Sequence, residues 1–133
     1  MTSNPHEVTI SRALLDEVLT RAAIEPTREV CGLLFGDEHC IRTAPPARNV
    51  AADPACAFEI DPAALLAAHK AARNGGPRVL GCYHSHPDGR SDPSPRDCAA
   101  AEPGTLWLIL AGGTAQLWRA GQDAFQPVAL TID

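Results

Sequence analysis

The amino-acid sequence predicts an α/β (α+β) fold, a central β-sheet with helices packed against it. Short apolar runs of strand length recur along the chain, and two stretches carry apolar residues at helical spacing. The two kinds alternate early and strands dominate late, the pattern of a sheet covered by a few helices.

Taken in order, a short strand is expected over residues 7–10, followed by Ser11 as a helix N-cap. Leu14, Leu15, Val18, Leu19, Ala22 and Ala23 recur with helical periodicity until Pro26 stops them. The run from Val30 to Phe35 reads as a buried strand, with Gly36-Asp37 as the turn after it. A strand over Cys40 to Thr43 is interrupted, or placed at an edge, by Pro45-Pro46. A loop through Asn49, Asp53 and Pro54 ends in a short strand near Ala57 to Ile60. Asp61-Pro62 opens a helix carrying Leu65, Leu66, His69 and Ala72, and Gly75-Gly76 closes it. Arg78 to Ser85 is a strand, Pro87 to Pro93 a polar loop, and Ser94-Pro95-Arg96-Asp97 the start of a short helix. Strands follow over Thr105 to Ala111, around Gln116 to Arg119 after the Gly112-Gly113 turn, and near Val128 to Ile132.

The 133 residues suit one domain spanning 1–133, and 45% hydrophobic with 20% charged residues is an ordinary globular composition. A net charge of −5 without a run of Lys or Arg argues against nucleic acid as a partner. No apolar run reaches the roughly 20 residues that span a bilayer, and the first residues lack the pattern of a signal peptide. The expectation is therefore a cytoplasmic protein with no membrane partner; the oligomeric state is left open. Five cysteines without a C-x-x-C pair argue against a disulfide framework and against a four-cysteine zinc site. Cys98 is next to Asp97, but neighbours on a helix point about 100° apart, so the two are not expected on one ion.

The chemistry-bearing stretch is His84-Ser85-His86-Pro87, followed by Ser94 and Asp97. On a strand, residues i and i+2 face the same way, so both imidazoles can aim at one point at the strand's end. Asp97, in the first turn of the next helix, can add a carboxylate from another direction. Two histidines and a carboxylate leave a fourth position open, as a catalytic zinc site requires. Each piece has an ordinary alternative. Paired histidines can be polar strand-edge residues, Ser94-x-x-Asp97 can be only a capping box, and Glu29 can be a surface carboxylate. The joint pattern is rarer, arising by chance in about one in 10⁵ chains of this size.

On these residues the chain resembles the JAMM, or MPN-plus, metalloproteases. Glu29-Val30-Cys31-Gly32-Leu33-Leu34 matches the glutamate that precedes Cys-Gly in that family. His84-Ser85-His86-Pro87 matches its H-x-H-P strand, and Ser94 and Asp97 follow at its spacing. The resemblance runs from about Val8 onward. It implies a mixed, curved sheet flanked by two main helices and a short helix at the metal site. It also implies one Zn²⁺ per chain on His84, His86 and Asp97, with Glu29 as general base and Ser94 as donor to the oxyanion. The last role competes with Ser94 acting as a cap. Cys82 stands where the family often has an aromatic residue, which changes a wall of the site and not its ligands.

The chain lacks the long insertions with which eukaryotic relatives grip ubiquitin chains. It is more similar to the compact sulfur-carrier-processing (CysO-cysteine type) peptidases. The resemblance therefore implies hydrolysis of a peptide or isopeptide bond after the Gly-Gly tail of a small ubiquitin-like or sulfur-carrier protein. The alternatives are an inactive MPN-type interaction module and a zinc hydrolase of a small molecule. A deaminase would need H-x-E and C-x-x-C, which are missing here, and a DNA-maintenance role of the H-x-H-P motif sits poorly with the acidic balance. His6, His39 and His69 are not expected to be ligands.

Overall fold

The computed structural model describes residues 7–133, so His6 lies outside the described residues. Strand β1 (Glu7–Ile10) leads into helix α1 (Arg12–Ile24), whose first turn is capped by Ser11: its Oγ accepts from the Leu14 N–H at 3.1 Å. The helix ends just before Pro26, as its missing N–H and fixed φ require. Strand β2 (Cys31–Asp37), β3 (Cys40–Thr43) and the two-residue β4 (Pro46–Ala47) follow. Then come α2 (Pro62–Arg73), β5 (Arg78–Ser85), α3 (Pro95–Ala100), β6 (Leu106–Ala111), β7 (Thr114–Ala120) and β8 (Phe125–Ile132).

The strands form one mixed eight-stranded sheet in the order β3-β1-β8-β7-β6-β5-β2-β4. Because β3 also pairs antiparallel with β2, the sheet curls until its two ends meet. The expected curvature is thus a closure. β4 stays outside the circuit, pairing only Cys31 and Gly32 of β2. This puts Pro46 on an edge, where its missing donor costs nothing.

The larger core is formed by Val8, Ile10, Leu34, Ile41, Leu80, Tyr83, Leu106, Leu108, Leu110 and Leu117, closed by Leu15 and Val18 of α1. Each such side chain contributes about 1.5–3 kcal/mol on burial. A second cluster, Cys82, Trp107 and Ala120 with Phe58, Ile60 and Phe125 against it, lies on the opposite face. A bulge in β5 reconciles the two. Leu34 pairs with Gly81 but Phe35 with Val79, which leaves Leu80 unpaired and reverses the alternation beyond it. Cys82 therefore faces the second cluster, and His84, two residues on, follows it.

Several expectations are corrected. Gly36 and Asp37 belong to β2, and the reversal falls at Glu38-His39, where Asp37 Oδ1 accepts from the His39 N–H at 2.9 Å. No strand forms over Ala57 to Ile60; a lone bridge joins Asn49 to Ile60, because the Asn49 side chain takes the hydrogen bonds that a neighbouring strand would supply. β7 and β8 are longer than the periodicity suggested, since β7 pairs with β6 from Thr114 and with β8 as far as Ala120–Phe125. In α2, Leu66 is 66% exposed and no residue is fully buried. Among the described residues, no helix is long and apolar enough to cross a membrane.

Candidate metal centre

The centre forms where β5 ends. His84 lies within the strand, and His86 continues its path: the His86 N–H donates to Leu110 O of β6 at 2.9 Å. The two imidazoles consequently share a face, with their Nε2 atoms 3.0 Å apart. Asp97 enters from α3. Its Oδ2 lies 3.1 Å from His84 Nε2 and 3.0 Å from His86 Nε2. All three residues are buried.

Glu29 reaches the same point through strand register. Cys31 pairs antiparallel with His84, so Glu29, two residues earlier, lies across from His86. Its carboxylate and ligand atoms of both histidines lie within 4.8 Å of one another. Gly32 makes the approach of β2 to β5 possible, for a Cβ there would strike Pro45 O and the Tyr83 ring. This is the physical meaning of the Cys-Gly step after Glu29.

Ser94 and Asp97 form a complete capping box. The Asp97 N–H donates to Ser94 Oγ at 3.0 Å, and the Ser94 N–H donates to Asp97 Oδ2 at 2.9 Å. The cap uses a lone pair of Oγ and leaves its O–H proton free to donate. Capping and donation to a substrate oxygen are therefore compatible, and the competition expected from the sequence dissolves.

The donor set suits a small tetrahedral cation. Metal–ligand bonds of about 2.0–2.1 Å place neighbouring ligand atoms about 3.3 Å apart, close to the three separations of 3.0–3.1 Å. His86 Nδ1 lies 2.7 Å from the Arg90 carbonyl, which can only accept. Nδ1 therefore carries a proton: a neutral His86 turns its Nε2 lone pair to the centre, and a protonated His86 donates from Nε2 to Asp97. His84 Nδ1 is buried without a hydrogen-bond partner among the described residues. Its ring is held by aromatic packing, stacked on Phe58 at 4.2 Å between centroids and edge-on to Trp107 at 5.5 Å.

The electrostatics separate the two carboxyl groups. Burial pushes Glu29 up to about 7, helped by Asp97 and Asp88 and opposed by His86. Burial would also raise Asp97, but hydrogen bonds from His84 and His86 hold it well below the usual carboxylate range. Burial keeps His84 below its ordinary value, so it stays neutral. For His86, burial is outweighed by its hydrogen bonds to Asp97 and to the Arg90 carbonyl, and its pKa rises. One carboxyl group is thus a fixed anion and the other is poised to exchange a proton near neutrality.

A cleft of about 500 Å³ opens over the centre, walled by Glu29, Ala55, Cys56, His86, Ser94 and Cys98. Cys98 is exposed on the cleft wall and does not join Glu29, His84 and His86, whose ligand atoms lie within 4.8 Å of one another. Cys31, Cys40, Cys56 and Cys82 are also free thiols. His39, in the β2–β3 reversal, and His69, in α2, likewise stand apart from that group.

Sequence reasoning missed the supports of the site. Ser85, the residue between the histidines, accepts from the Val30 N–H at 2.9 Å, tying together segments 55 residues apart. Asn49 comes from the segment read as a loop, and Phe58 from the one read as a short strand. An Asn among small and proline residues is itself a signal of side-chain-to-backbone bonding.

Residues 11–121 match the family described as prokaryotic homologs of the JAB domain. A desampylase of Haloferax volcanii is 34% identical, the match covering 91% of this chain and 90% of that protein. A probable TtuB-protein conjugate cleaving protease of Thermus thermophilus is 40% identical over 92% of this chain and 81% of that protein. Among solved structures, a protein from Desulfitobacterium hafniense superposes with a TM-score of 0.81 at 26% identity, covering 95% of this chain and 92% of that one. A JAB1/MPN domain protein from Archaeoglobus fulgidus shares the fold, with a TM-score of 0.63 at 20% identity over 96% of this chain and 98% of that one. The chain belongs to the prokaryotic JAB-domain family, a JAMM-type family of hydrolytic metallopeptidases.

Proposed function

We propose that this chain is a zinc-dependent peptidase or isopeptidase that cuts after the Gly-Gly tail of a small ubiquitin-like or sulfur-carrier protein. The observation that carries the reading is the 3.0–3.1 Å triangle of His84 Nε2, His86 Nε2 and Asp97 Oδ2. Glu29 stands beside it on the wall of an open cleft. The names of two relatives, a desampylase and a conjugate cleaving protease, support the substrate class.

His84, His86 and Asp97 would hold one zinc, whose Lewis acidity lowers the pKa of water from about 15.7 toward about 7. Glu29, with its carboxyl group raised to about 7, accepts the proton of the attacking water and passes it to the leaving amine. The free Ser94 O–H donates to the oxyanion that develops on the scissile carbonyl. An extended tail reaches the centre along the cleft. The outer edge of β4, whose other side pairs with Cys31 and Gly32, can accept it as an added strand. Five free thiols suit a reducing compartment, consistent with action in the cytoplasm by a chain forming one domain.

The test is incubation with Gly-Gly-tailed carrier proteins, one set extended by a peptide at the C-terminus and one linked to a lysine side chain, read by intact mass. Release of the extension, abolished by a chelator and restored by zinc, is the expected result. An intact mass for every fusion, with zinc bound, would overturn the reading.

A further inference from the structure

The segment from Arg48 to Asp61 contains no regular strand, yet it closes tightly on itself. The Val50 N–H donates to Glu59 O at 2.9 Å, Asp61 N–H to Arg48 O at 3.1 Å, and Ala57 N–H to Asp53 O at 3.1 Å. At its centre the Asn49 amide makes four hydrogen bonds. Its Oδ1 accepts from the N–H groups of Ala51 at 3.0 Å and Glu59 at 3.1 Å. Its Nδ2 donates to Ala57 O at 3.1 Å and, leaving the loop, to Glu29 O at 2.8 Å.

Glu29 precedes β2, which begins at Cys31, so the sheet ladder does not hold its peptide groups. This loop holds them instead, because the Glu29 N–H donates to Pro54 O at 2.7 Å. A single segment thus grips Glu29 on both its N–H and its carbonyl, and Asn49 is the side chain that joins that grip to the loop's own closure. A fully satisfied amide in a partly buried site has one low-energy orientation, which makes it a rigid spacer.

We propose that Asn49 is a positioning residue for catalysis: its amide locks the Glu29 backbone so that the carboxylate is held beside the histidine pair. It touches neither substrate nor metal ligand. This inference rests on Glu29 acting as the base. It predicts an effect on the chemical step alone, since a base displaced by about 1 Å can cost about 100-fold in rate.

The experiment compares Asn49→Asp, Asn49→Ser and Val50→Ala on the zinc-loaded protein, with a carrier protein bearing a Gly-Gly tail and a C-terminal extension as substrate. Asn49→Asp keeps both acceptor functions of the loop and removes both donors. It should lower kcat about 10- to 100-fold, leaving KM and zinc content within about twofold of the parent. Asn49→Ser, with one shorter donor, should fall between. Val50→Ala loosens the loop without touching Glu29 and should keep kcat within about twofold. Four outcomes overturn the proposal: Asn49→Asp with unchanged kcat, an equal loss of kcat in Val50→Ala, a rise in KM as large as the fall in kcat, or both Asn49 variants losing zinc or cooperative melting. If Glu29→Gln retains full turnover, the base assignment itself fails. If Glu29→Gln is inactive while Asn49→Asp is not, only the role of Asn49 fails.

Discussion

The Phe58 ring stacks on the His84 imidazole, with 4.2 Å between centroids and 20° between planes. Metal-binding histidines ordinarily donate their second nitrogen to an acceptor that fixes the ring. His86 does so through the Arg90 carbonyl, but His84 Nδ1 has no partner among the described residues. Phe58 and Trp107 therefore set the orientation of His84. Replacing Phe58 with Ala should weaken zinc binding about 10- to 100-fold, the scale seen when a ligand's support is removed. Competition with a chromogenic chelator measures this, and unchanged affinity in a folded variant would show the stack to be idle.

The ligands and the base should separate cleanly. His86→Ala is expected to purify without stoichiometric zinc. Glu29→Gln, which keeps shape but cannot accept a proton, is expected to retain about one zinc per chain and lose hydrolysis. Elemental analysis and intact mass on the same samples decide it; a Glu29→Gln variant that also loses the ion would place Glu29 among the ligands.

Ser94 carries two roles that one pair of variants can divide. Ser94→Ala removes the cap and the O–H together, costing about 0.5–2 kcal/mol of stability along with activity. Ser94→Gly loses only a few tenths of a kcal/mol as a cap. It should still lower kcat about 100- to 1,000-fold if the hydroxyl serves the oxyanion. A glycine variant with full kcat would leave Ser94 as a cap alone.

The raised Glu29 carboxyl has a thermodynamic signature. Its folded-state pKa of about 7 exceeds the ordinary carboxylate value, so the folded protein binds more protons than the unfolded chain between about pH 4.5 and 7. Stability from this group is complete below that window and lost as pH rises through it. In the presence of a chelator, melting temperature should fall from pH 5 to pH 8 more steeply for the parent than for Glu29→Gln. Parallel curves would contradict the shift.

Gly32 offers a test of packing next to the site. A Cβ there meets the Pro45 carbonyl, just before β4, and the Tyr83 ring of β5, so β2 must shift against its neighbours on both sides. Gly32→Ala should cost about 1–3 kcal/mol and lower kcat, because the same displacement separates Glu29 from His86. Denaturant unfolding and steady-state kinetics measure the two effects.

Much of the fold was legible in local chemistry. Ser11 and Pro26 bound α1, Asp61-Pro62 and Gly75-Gly76 bound α2, and the run after Val30 became a buried strand, because caps, prolines and periodicity act within a few residues. The Ala57–Ile60 segment was misread because its apolar residues pack as a loop whose backbone partners come from the Asn49 side chain.

The same division holds for the site. Local spacing alone determined that His84 and His86 share a strand face and that Asp97 opens a helix, since the pleat and the first helical turn are short-range geometry. Only the tertiary structure decided that Glu29 lies across from His86, that Phe58 carries His84, and that Asn49 grips the Glu29 backbone. Those relations depend on strand register, a bulge at Leu80 and the closure of a loop. Each is set by contacts between segments far apart in the chain, and no local pattern encodes them.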